Sequence, residues 1–270
     1  MRVLDVDPLP IASLPALNAA GRGAVEAVSF PIHVGRVDRL PGPLQALVAA
    51  ADLQALELPD GGPQRLIGEA LAERLVALAD QGLLPDPALT GVLLAGDLYT
   101  VPDLARRGGL GDVRSVWEAF ADRFRWAAGV LGNHDLIGSG PRDQARFQRR
   151  PGVHLLDGQV RALDGLRVGG VGGIAGDPRK PNRRWHDELC ATVEAVLVEG
   201  AEVLVLHEGP DGPRPEQRGN PDLRAALVGS GLRPLVVCGH SWWPTPLVEL
   251  EGGLQVLKVD ARVVVLRPLE

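Results

Sequence analysis

The chain has 270 residues, of which 45% are hydrophobic and 23% are charged, and its formal net charge is −6. This mix is that of an ordinary globular protein and excludes a wholly disordered chain. The negative net charge disfavours nucleic acid as a partner, because polyanions are bound by basic surfaces. No apolar run reaches the roughly 20 residues that cross a bilayer, and the start of the chain lacks the apolar region of a secretory signal. We therefore expect a cytoplasmic protein without membrane contact.

Residues 1–45 are rich in Pro, Gly and Ala, with one extended segment from Val25 to Val37. We interpret them as an N-terminal elaboration of a single domain that spans residues 1–270. Beyond this segment, short aliphatic runs without helical spacing predict buried strands. These runs are Leu47–Asp52, Gly91–Asp97, Trp126–Gly132, Leu166–Val171, Val203–His207, Leu235–Gly239 and Val263–Leu266.

Helical spacing appears between several of these runs. Apolar residues recur at intervals of three and four between Leu66 and Leu78, and again between Val113 and Phe124. The alternation predicts an α/β fold. Near the end of the chain, Pro246–Leu250, Leu254–Val259 and Ala261–Leu266 follow one another with short turns, which predicts a β-meander and hence a mixed sheet.

Polar residues follow the carboxyl ends of five predicted strands, where ligand sites of open α/β sheets collect. The segments are Asp52-Leu53-Gln54, Gly96-Asp97-Leu98-Tyr99, Gly132-Asn133-His134-Asp135, His207-Glu208 and Gly239-His240-Ser241-Trp242. Carboxylate, amide and imidazole groups are ligands for divalent cations of intermediate hardness. The sequence therefore predicts a metal site at one edge of a sheet. The two cysteines, Cys190 and Cys238, lie in apolar stretches, which favours buried thiols over a disulfide.

The order Asp, Gly-Asp, Gly-Asn-His-Asp, His and Gly-His resembles the calcineurin-like metallophosphoesterase family, from about Leu47 to Val265. The resemblance implies a four-layer αββα sandwich, with two mixed sheets flanked by helices. It also implies an enzyme, a phosphatase or phosphodiesterase, in which a metal-bound hydroxide attacks the phosphate ester.

The same resemblance implies a role for each motif residue. Asp97 would bridge two metals, while Asn133, His207 and His240 would complete the site of one metal and Asp52 would bind the other. His134 would act on the leaving oxygen, and Asp135 would orient the His134 ring. A small phosphorylated substrate is the expected partner.

Two positions depart from the family pattern, because Gln54 and Trp242 stand where the pattern has histidines. Both losses concern the same metal. We therefore expect one tightly bound ion and a second, weaker one that keeps Asp52, Asp97 and the amide oxygen of Gln54 as ligands. Mn²⁺ is the expected ion, with Zn²⁺, Fe or Mg²⁺ as alternatives. His33 is a candidate to fill the gap, and Trp242 either fills the lost volume or stacks on a substrate ring.

Substrate contacts are predicted from the basic segment 176–184, in which Arg179, Arg183 and Arg184 can bind phosphate through paired hydrogen bonds. The alternative is a solvated surface loop. Tyr99 either lines the pocket or packs in the core. The loss of two imidazoles also leaves a second function open, in which the fold no longer catalyses and serves as a binding or scaffold module.

Overall fold

The computed structural model describes residues 1–21, 23–58 and 64–269. Strands and helices alternate along the described chain. The strands, in chain order, are β1 (Val3–Val6), β2 (Ala12–Gly21), β3 (Ala24–Val37), β4 (Ala46–Ala51), β5 (Leu56–Glu57), β6 (Thr90–Leu94), β7 (Gly111–Asp112), β8 (Trp126–Gly129), β9 (Asp135–Leu136), β10 (Val153–Leu155), β11 (Gln159–Leu163), β12 (Leu166–Val171), β13 (Ile174–Ala175), β14 (Arg183–Arg184), β15 (Val203–Glu208), β16 (Leu235–Gly239), β17 (Leu247–Glu249), β18 (Gln255–Lys258) and β19 (Arg262–Pro268). The α-helices are α1 (Ile67–Asp80), α2 (Arg114–Ala121), α3 (Pro141–Phe147), α4 (His186–Val198) and α5 (Pro221–Gly229).

The larger sheet is nine-stranded and runs in the order β10-β8-β6-β4-β19-β3-β2-β5, with β1 paired to β3. Strands β10, β8, β6 and β4 are parallel to one another, whereas β19 is antiparallel to β4. Every residue of β4, β6 and β8 is buried. Such runs, which apart from Thr90 consist of Ala, Val, Leu, Gly and Trp, are typical of strands that are covered on both faces.

The smaller sheet is six-stranded, in the order β11-β12-β15-β16-β18-β17. Its central strands β12, β15, β16 and β18 are parallel, and the strands at both edges are antiparallel to their neighbours. Both sheets are therefore mixed. The predicted α/β class with mixed sheets is confirmed.

Three large clusters of buried apolar residues hold most of these elements together. One contains inward residues of both sheets, such as Leu47 and Leu93 from the larger and Val205 and Val237 from the smaller. A second joins the larger sheet to α1 and α2, and a third joins the smaller sheet to α4 and α5. The parallel strands of both sheets thereby end near one another, where the polar segments follow.

The structure corrects two sequence predictions. The β-meander is wrong in its last member, because β18 belongs to the smaller sheet while β19 lies between β4 and β3 in the larger one. Residues 1–45 form more than an elaboration on the core, since β1, β2 and β3 are strands of the larger sheet itself. The single-domain assignment stays a prediction.

The two cysteines are unpaired thiols, as predicted, with Cys238 fully buried. Among the described residues, no helix has both the length and the apolar character required to span a membrane.

Candidate metal centre

Four of the predicted metal ligands meet where parallel strands of the two sheets end. Asp97 and Asn133 follow β6 and β8 of the larger sheet, while His207 lies in β15 and His240 follows β16 of the smaller sheet. Ligand atoms of Asp97, His207 and His240 all lie within 4.8 Å of one another. The Asn133 Oδ1 atom lies 3.3 Å from His207 Nε2 and so belongs to the same group. A carboxylate, an amide oxygen and two imidazoles form a donor set suited to Mn²⁺, Zn²⁺ or Fe.

The His207 ring is fully buried and held in one orientation. Its Nδ1 atom donates to the carbonyl oxygen of Ala95 at 2.8 Å, which leaves Nε2 facing the group. The Nε2 atom then lies 3.4 Å from Asp97 Oδ1 and 3.3 Å from Asn133 Oδ1. In the neutral imidazole this nitrogen carries a lone pair, so three acceptor atoms face one another. That arrangement is stable only when a proton or a metal ion lies between them.

The charges of this group follow from their mutual contacts. Burial alone would lower the pKa of His207, but the adjacent Asp97 carboxylate outweighs burial and raises that pKa to about 10. Burial alone would raise the pKa of Asp97, yet His207, followed by His134, outweighs it and lowers that pKa to about 2. Asp97 is therefore ionised at neutral pH. Its buried carboxylate attracts a cation, which is either the proton on His207 or a metal ion in its place.

Backbone strain marks the turns that present these residues. Asp52, Asp97 and His240 have positive φ angles of 54°, 55° and 70°, a region that side chains other than glycine rarely occupy. Such residues persist where the surroundings fix them, and they cluster at functional sites. Glycines make the close approach possible, because a Cβ on Gly132 would lie 2.0 Å from Asp97 Oδ1. A Cβ on Gly96 would lie 2.3 Å from the Gly132 nitrogen.

Asp135 has a different role from the predicted one. Its fully buried carboxylate accepts hydrogen bonds from the backbone N–H groups of Asp97 and Gly132, both at 2.8 Å. It also accepts from the amides of Leu98 at 2.8 Å and Tyr99 at 3.3 Å. Asp135 therefore ties the loop after β6 to the loop after β8. The predicted contact with the His134 ring is wrong, because the carboxylate is used by these amides.

The His134 ring is positioned by a backbone carbonyl instead. Its Nδ1 atom contacts the oxygen of Gly109, and its Nε2 atom lies 3.9 Å from Asp97 Oδ2. Its backbone N–H donates to Asp97 Oδ1 at 2.9 Å. His134 is therefore half-buried beside the metal group. The Gly109 carbonyl holds its ring at Nδ1, the nitrogen that is turned away from Asp97.

On the other side of Asp97, the predicted ligands of the second metal form hydrogen bonds. The Gln54 Nε2 atom donates to Asp97 Oδ2 at 3.0 Å, so the amide presents its nitrogen and not its oxygen. Asp52 Oδ2 accepts from the His240 backbone N–H at 2.8 Å. Burial, followed by the charge of Asp260, raises the pKa of Asp52 well above its ordinary range. Gln54 and Asp52 are thus engaged in hydrogen bonds with other parts of the protein, and their roles as metal ligands stay a prediction.

The two other residues considered for this side have contacts of their own. Trp242 is 56% exposed and lies under the Arg262 guanidinium, 5.5 Å from ring centroid to Cζ, so it does not fill a buried volume. Trp243 is the buried one, and its Nε1 donates to the Arg218 carbonyl at 2.7 Å. His33 lies on β3 with its Nδ1 atom 3.0 Å from the Asp7 carbonyl oxygen. The gap left by the two missing histidines is not filled by His33.

The predicted substrate-binding residues divide into different environments. Arg179 is exposed and pairs with Asp177 at 2.7 Å, while Arg184 pairs with Asp157 at 2.5 Å and donates to the Gly172 carbonyl. Arg183 alone lines a cavity next to Asn133 and His134. Tyr99 packs on the main chain, because a Cβ on Gly111 would lie 2.2 Å from its ring. The packing alternative therefore holds for Tyr99.

Several residues of the site were not predicted. Ala95 and Gly109 act through backbone carbonyls, which leave no trace in residue identity. Asn182 donates through Nδ2 to the carbonyls of Gly132 at 2.8 Å and Asp135 at 2.6 Å, and so fixes the basic segment against the motif loop. In the sequence, this role of Asn182 was indicated by its place as a short polar residue inside a Pro- and Gly-rich loop.

Comparison with known proteins gives a fold and one local sequence match. The structure is similar to TT1561 of Thermus thermophilus, with a TM-score of 0.56 and 17% identity, covering 81% of this chain and 90% of that chain. No family sequence profile matches the chain. The sequence is 38% identical over 95 residues to a 5-oxoprolinase subunit from each of two Thermus thermophilus strains. That match spans 35% of this chain and 35% of each relative. At 17% identity, the structural likeness shows the fold alone.

Proposed function

We propose that the chain is a metal-dependent hydrolase of phosphate esters that uses one divalent ion, held by Asp97, Asn133, His207 and His240. The observation that supports this most is the buried His207 Nε2 atom, 3.4 Å from Asp97 Oδ1 and 3.3 Å from Asn133 Oδ1. A cation between these atoms satisfies all of them. The fixed Nδ1 contact with the Ala95 carbonyl is the outer-shell bond typical of metal-binding histidines.

The residues around this position suit phosphate ester chemistry. A divalent ion bound there would supply a nucleophile at neutral pH and neutralise charge on the phosphoryl oxygens. His134 lies next to it, and the Gly109 carbonyl holds Nδ1, which directs Nε2 towards the group. We assign to His134 the proton that the leaving oxygen requires. Asp135 keeps the two loops in register for this arrangement.

We propose a single strongly bound ion rather than two. The Gln54 N–H group already occupies the Asp97 oxygen that a second ion would share. Asp52 is likewise engaged by the His240 amide. Mn²⁺ is the ion we expect, and a second ion would have to displace both hydrogen bonds.

The four-layer αββα order implied by the resemblance belongs to the same proposal. It is supported by an apolar cluster shared by the two sheets and by two further clusters that join each sheet to its helices. The likeness to TT1561 concerns this fold and not the activity.

The direct test is hydrolysis of a chromogenic phosphate ester, such as p-nitrophenyl phosphate or its bis-ester, with Mn²⁺ added to the metal-depleted protein. We expect Mn²⁺-dependent release of nitrophenol that is lost in Asn133→Ala and kept in His33→Ala. Inactivity towards both esters with several divalent metals would contradict the proposal and favour the scaffold alternative.

A second candidate comes from the local sequence match to a 5-oxoprolinase subunit, whose name denotes an enzyme that acts on 5-oxoproline. A metal site that polarises a phosphoryl oxygen can also polarise a lactam carbonyl. Glutamate release from 5-oxoproline, in the absence of phosphate ester hydrolysis, would favour this candidate over the first.

A further inference from the structure

A cavity of about 290 Å³ opens beside the candidate metal centre and shares two of its residues. Its lining consists of Arg106, Gly109, Leu110, Asn133, His134, Lys180, Pro181 and Arg183. Arg106 comes from the segment after β6, and Lys180 and Arg183 come from the basic segment on the opposite side. An occupant of this cavity therefore lies in contact with the metal ligand Asn133 and with His134.

The cavity is cationic in a protein of net charge −6. Arg106, Lys180 and Arg183 line it, and no acidic residue does. Within the described part of the chain, none of these three side chains forms an ion pair, whereas the neighbouring Arg179 and Arg184 pair with Asp177 and Asp157. Three like charges facing one small volume repel one another, so the arrangement is stabilised by an anion.

The position of the basic segment is fixed rather than incidental. Asn182, between Lys180 and Arg183, donates two hydrogen bonds to the carbonyls of Gly132 and Asp135. These carbonyls flank the metal ligand Asn133 and His134. The backbone of the segment that carries Lys180 and Arg183 is consequently attached to the loop of Asn133 and His134. A guanidinium in that place can bind a phosphate through paired hydrogen bonds.

The size and chemistry of the cavity restrict what it accepts. A volume of about 290 Å³ is at the lower limit for small-molecule pockets. Apart from the His134 imidazole, no lining residue is aromatic, so nothing offers a stacking surface to a nucleobase. Compact polyanions fit these properties better than nucleosides do.

We propose that this cavity binds a second phosphate of the substrate, so that the preferred substrates are small phosphate esters with another phosphate close to the scissile one. The inference rests on the proposed hydrolase function, which assigns the scissile phosphate to the metal centre. The three cations then recognise the part of the molecule that does not react.

Binding of inorganic pyrophosphate and inorganic phosphate to the metal-free protein, measured by titration calorimetry at low ionic strength, tests this without catalysis. We expect pyrophosphate, which brings more negative charge to the three cations than phosphate does, to bind at least tenfold more tightly. Lys180→Ala and Arg183→Gln should each weaken pyrophosphate binding about tenfold, since each removes a charge-assisted contact. Arg142→Ala removes an exposed charge outside the cavity and should change the affinity less than twofold.

Equal affinity for the two anions, or unchanged pyrophosphate binding in Lys180→Ala, would overturn the proposal. Lys180 is exposed, so its loss should not unfold the protein, and a thermal melt confirms this for both variants. The two proposals fail separately in this design. Selective pyrophosphate binding without any ester hydrolysis would refute the hydrolase function alone. Hydrolysis of p-nitrophenyl phosphate without selective pyrophosphate binding would refute the cavity assignment alone.

Discussion

The two oxygen atoms of the Asp97 carboxylate lie in different surroundings, although nitrogen and oxygen atoms of neighbouring side chains approach both. On one side, its Oδ1 atom accepts the His134 backbone N–H and lies 3.4 Å from His207 Nε2, which itself lies 3.3 Å from Asn133 Oδ1. On the other side, its Oδ2 atom already accepts the N–H group of Gln54.

The difference shows that such a group of oxygen and nitrogen atoms favours a metal ion where its acceptors share a proton that the ion can replace. Asp52 is an acidic residue in the expected place, yet the His240 amide satisfies its Oδ2 atom. A metal at that side would have to replace existing hydrogen bonds. A metal on the His207 side instead replaces the proton that His207 carries at neutral pH.

We call the side of Asp97 that faces His207 the open side and the side that faces Gln54 the closed side. The largest expected effect comes from removing His207 from the open side. His207→Ala should abolish stoichiometric binding of Mn²⁺ and reduce kcat for a chromogenic ester on the order of a thousandfold, because the charge stabilisation by the ion is lost. Metal analysis and steady-state kinetics measure both. His33→Ala is the control, since the His33 ring on β3 contacts the Asp7 carbonyl and no predicted metal ligand. Unchanged metal content in His207→Ala would contradict the assignment.

The next largest effect concerns Asp135, whose buried carboxylate connects the two loops that carry Asp97 and Asn133. Asp135→Ala leaves the amides of Asp97, Leu98, Tyr99 and Gly132 without their acceptor. We expect a loss of about 3 kcal/mol in the free energy of unfolding, measured by urea denaturation, because unsatisfied buried donors are costly. Asp80→Ala, at an exposed helix end, is the matched control and should change it by less than ~0.5 kcal/mol. A loss of equal size in both variants would contradict this role.

The closed side can be opened by restoring the two missing histidines. In the double variant Gln54→His, Trp242→His, the amide donor to Asp97 Oδ2 is removed and two imidazoles are added. We expect a second Mn²⁺ equivalent, with an affinity improved about tenfold to a hundredfold over the natural chain. Titration of both proteins with Mn²⁺ decides this. An unchanged single equivalent would mean that the hydrogen bonds do not exclude the second ion.

The most gradual expected effect, about tenfold for each pH unit, is a pH dependence of metal binding on the His207 side of Asp97. His207, with its pKa raised to about 10, is protonated in the metal-free protein at neutral pH, whereas a ligand must be neutral. The ion therefore displaces a proton, and the apparent affinity should rise about tenfold per pH unit between about pH 7 and 9. Calorimetric titrations at several pH values measure the change. An affinity independent of pH would contradict the protonated state of His207.

Much of the site was predictable because its residues follow buried strands. Apolar runs that stop at glycine or a polar residue identify the ends of the strands. Such ends precede Asp97, Asn133, His207 and His240. Their convergence then follows from the rule that ligands collect beyond the carboxyl ends of parallel strands. The three-residue metal group found in the structure agrees with that expectation.

The unpredicted features depend on contacts between distant segments. The insertion of β19 between β4 and β3 is a long-range pairing that short turns near the chain end do not reveal. The tautomer of His207 depends on the Ala95 carbonyl, and a carbonyl is present at every residue. Helix α4 is a different case, because Leu189, Val193, Val196 and Leu197 do recur at helical spacing. The sequence therefore contains the information needed to predict this helix.

The number of metal ions per chain tests the central claim most directly. Protein purified without chelator, dialysed against trace Mn²⁺ and analysed by plasma mass spectrometry, should contain one equivalent of a divalent ion. The same analysis of His207→Ala should give about none. A natural chain that binds no divalent ion, or that binds two ions with equal affinity, would contradict the account.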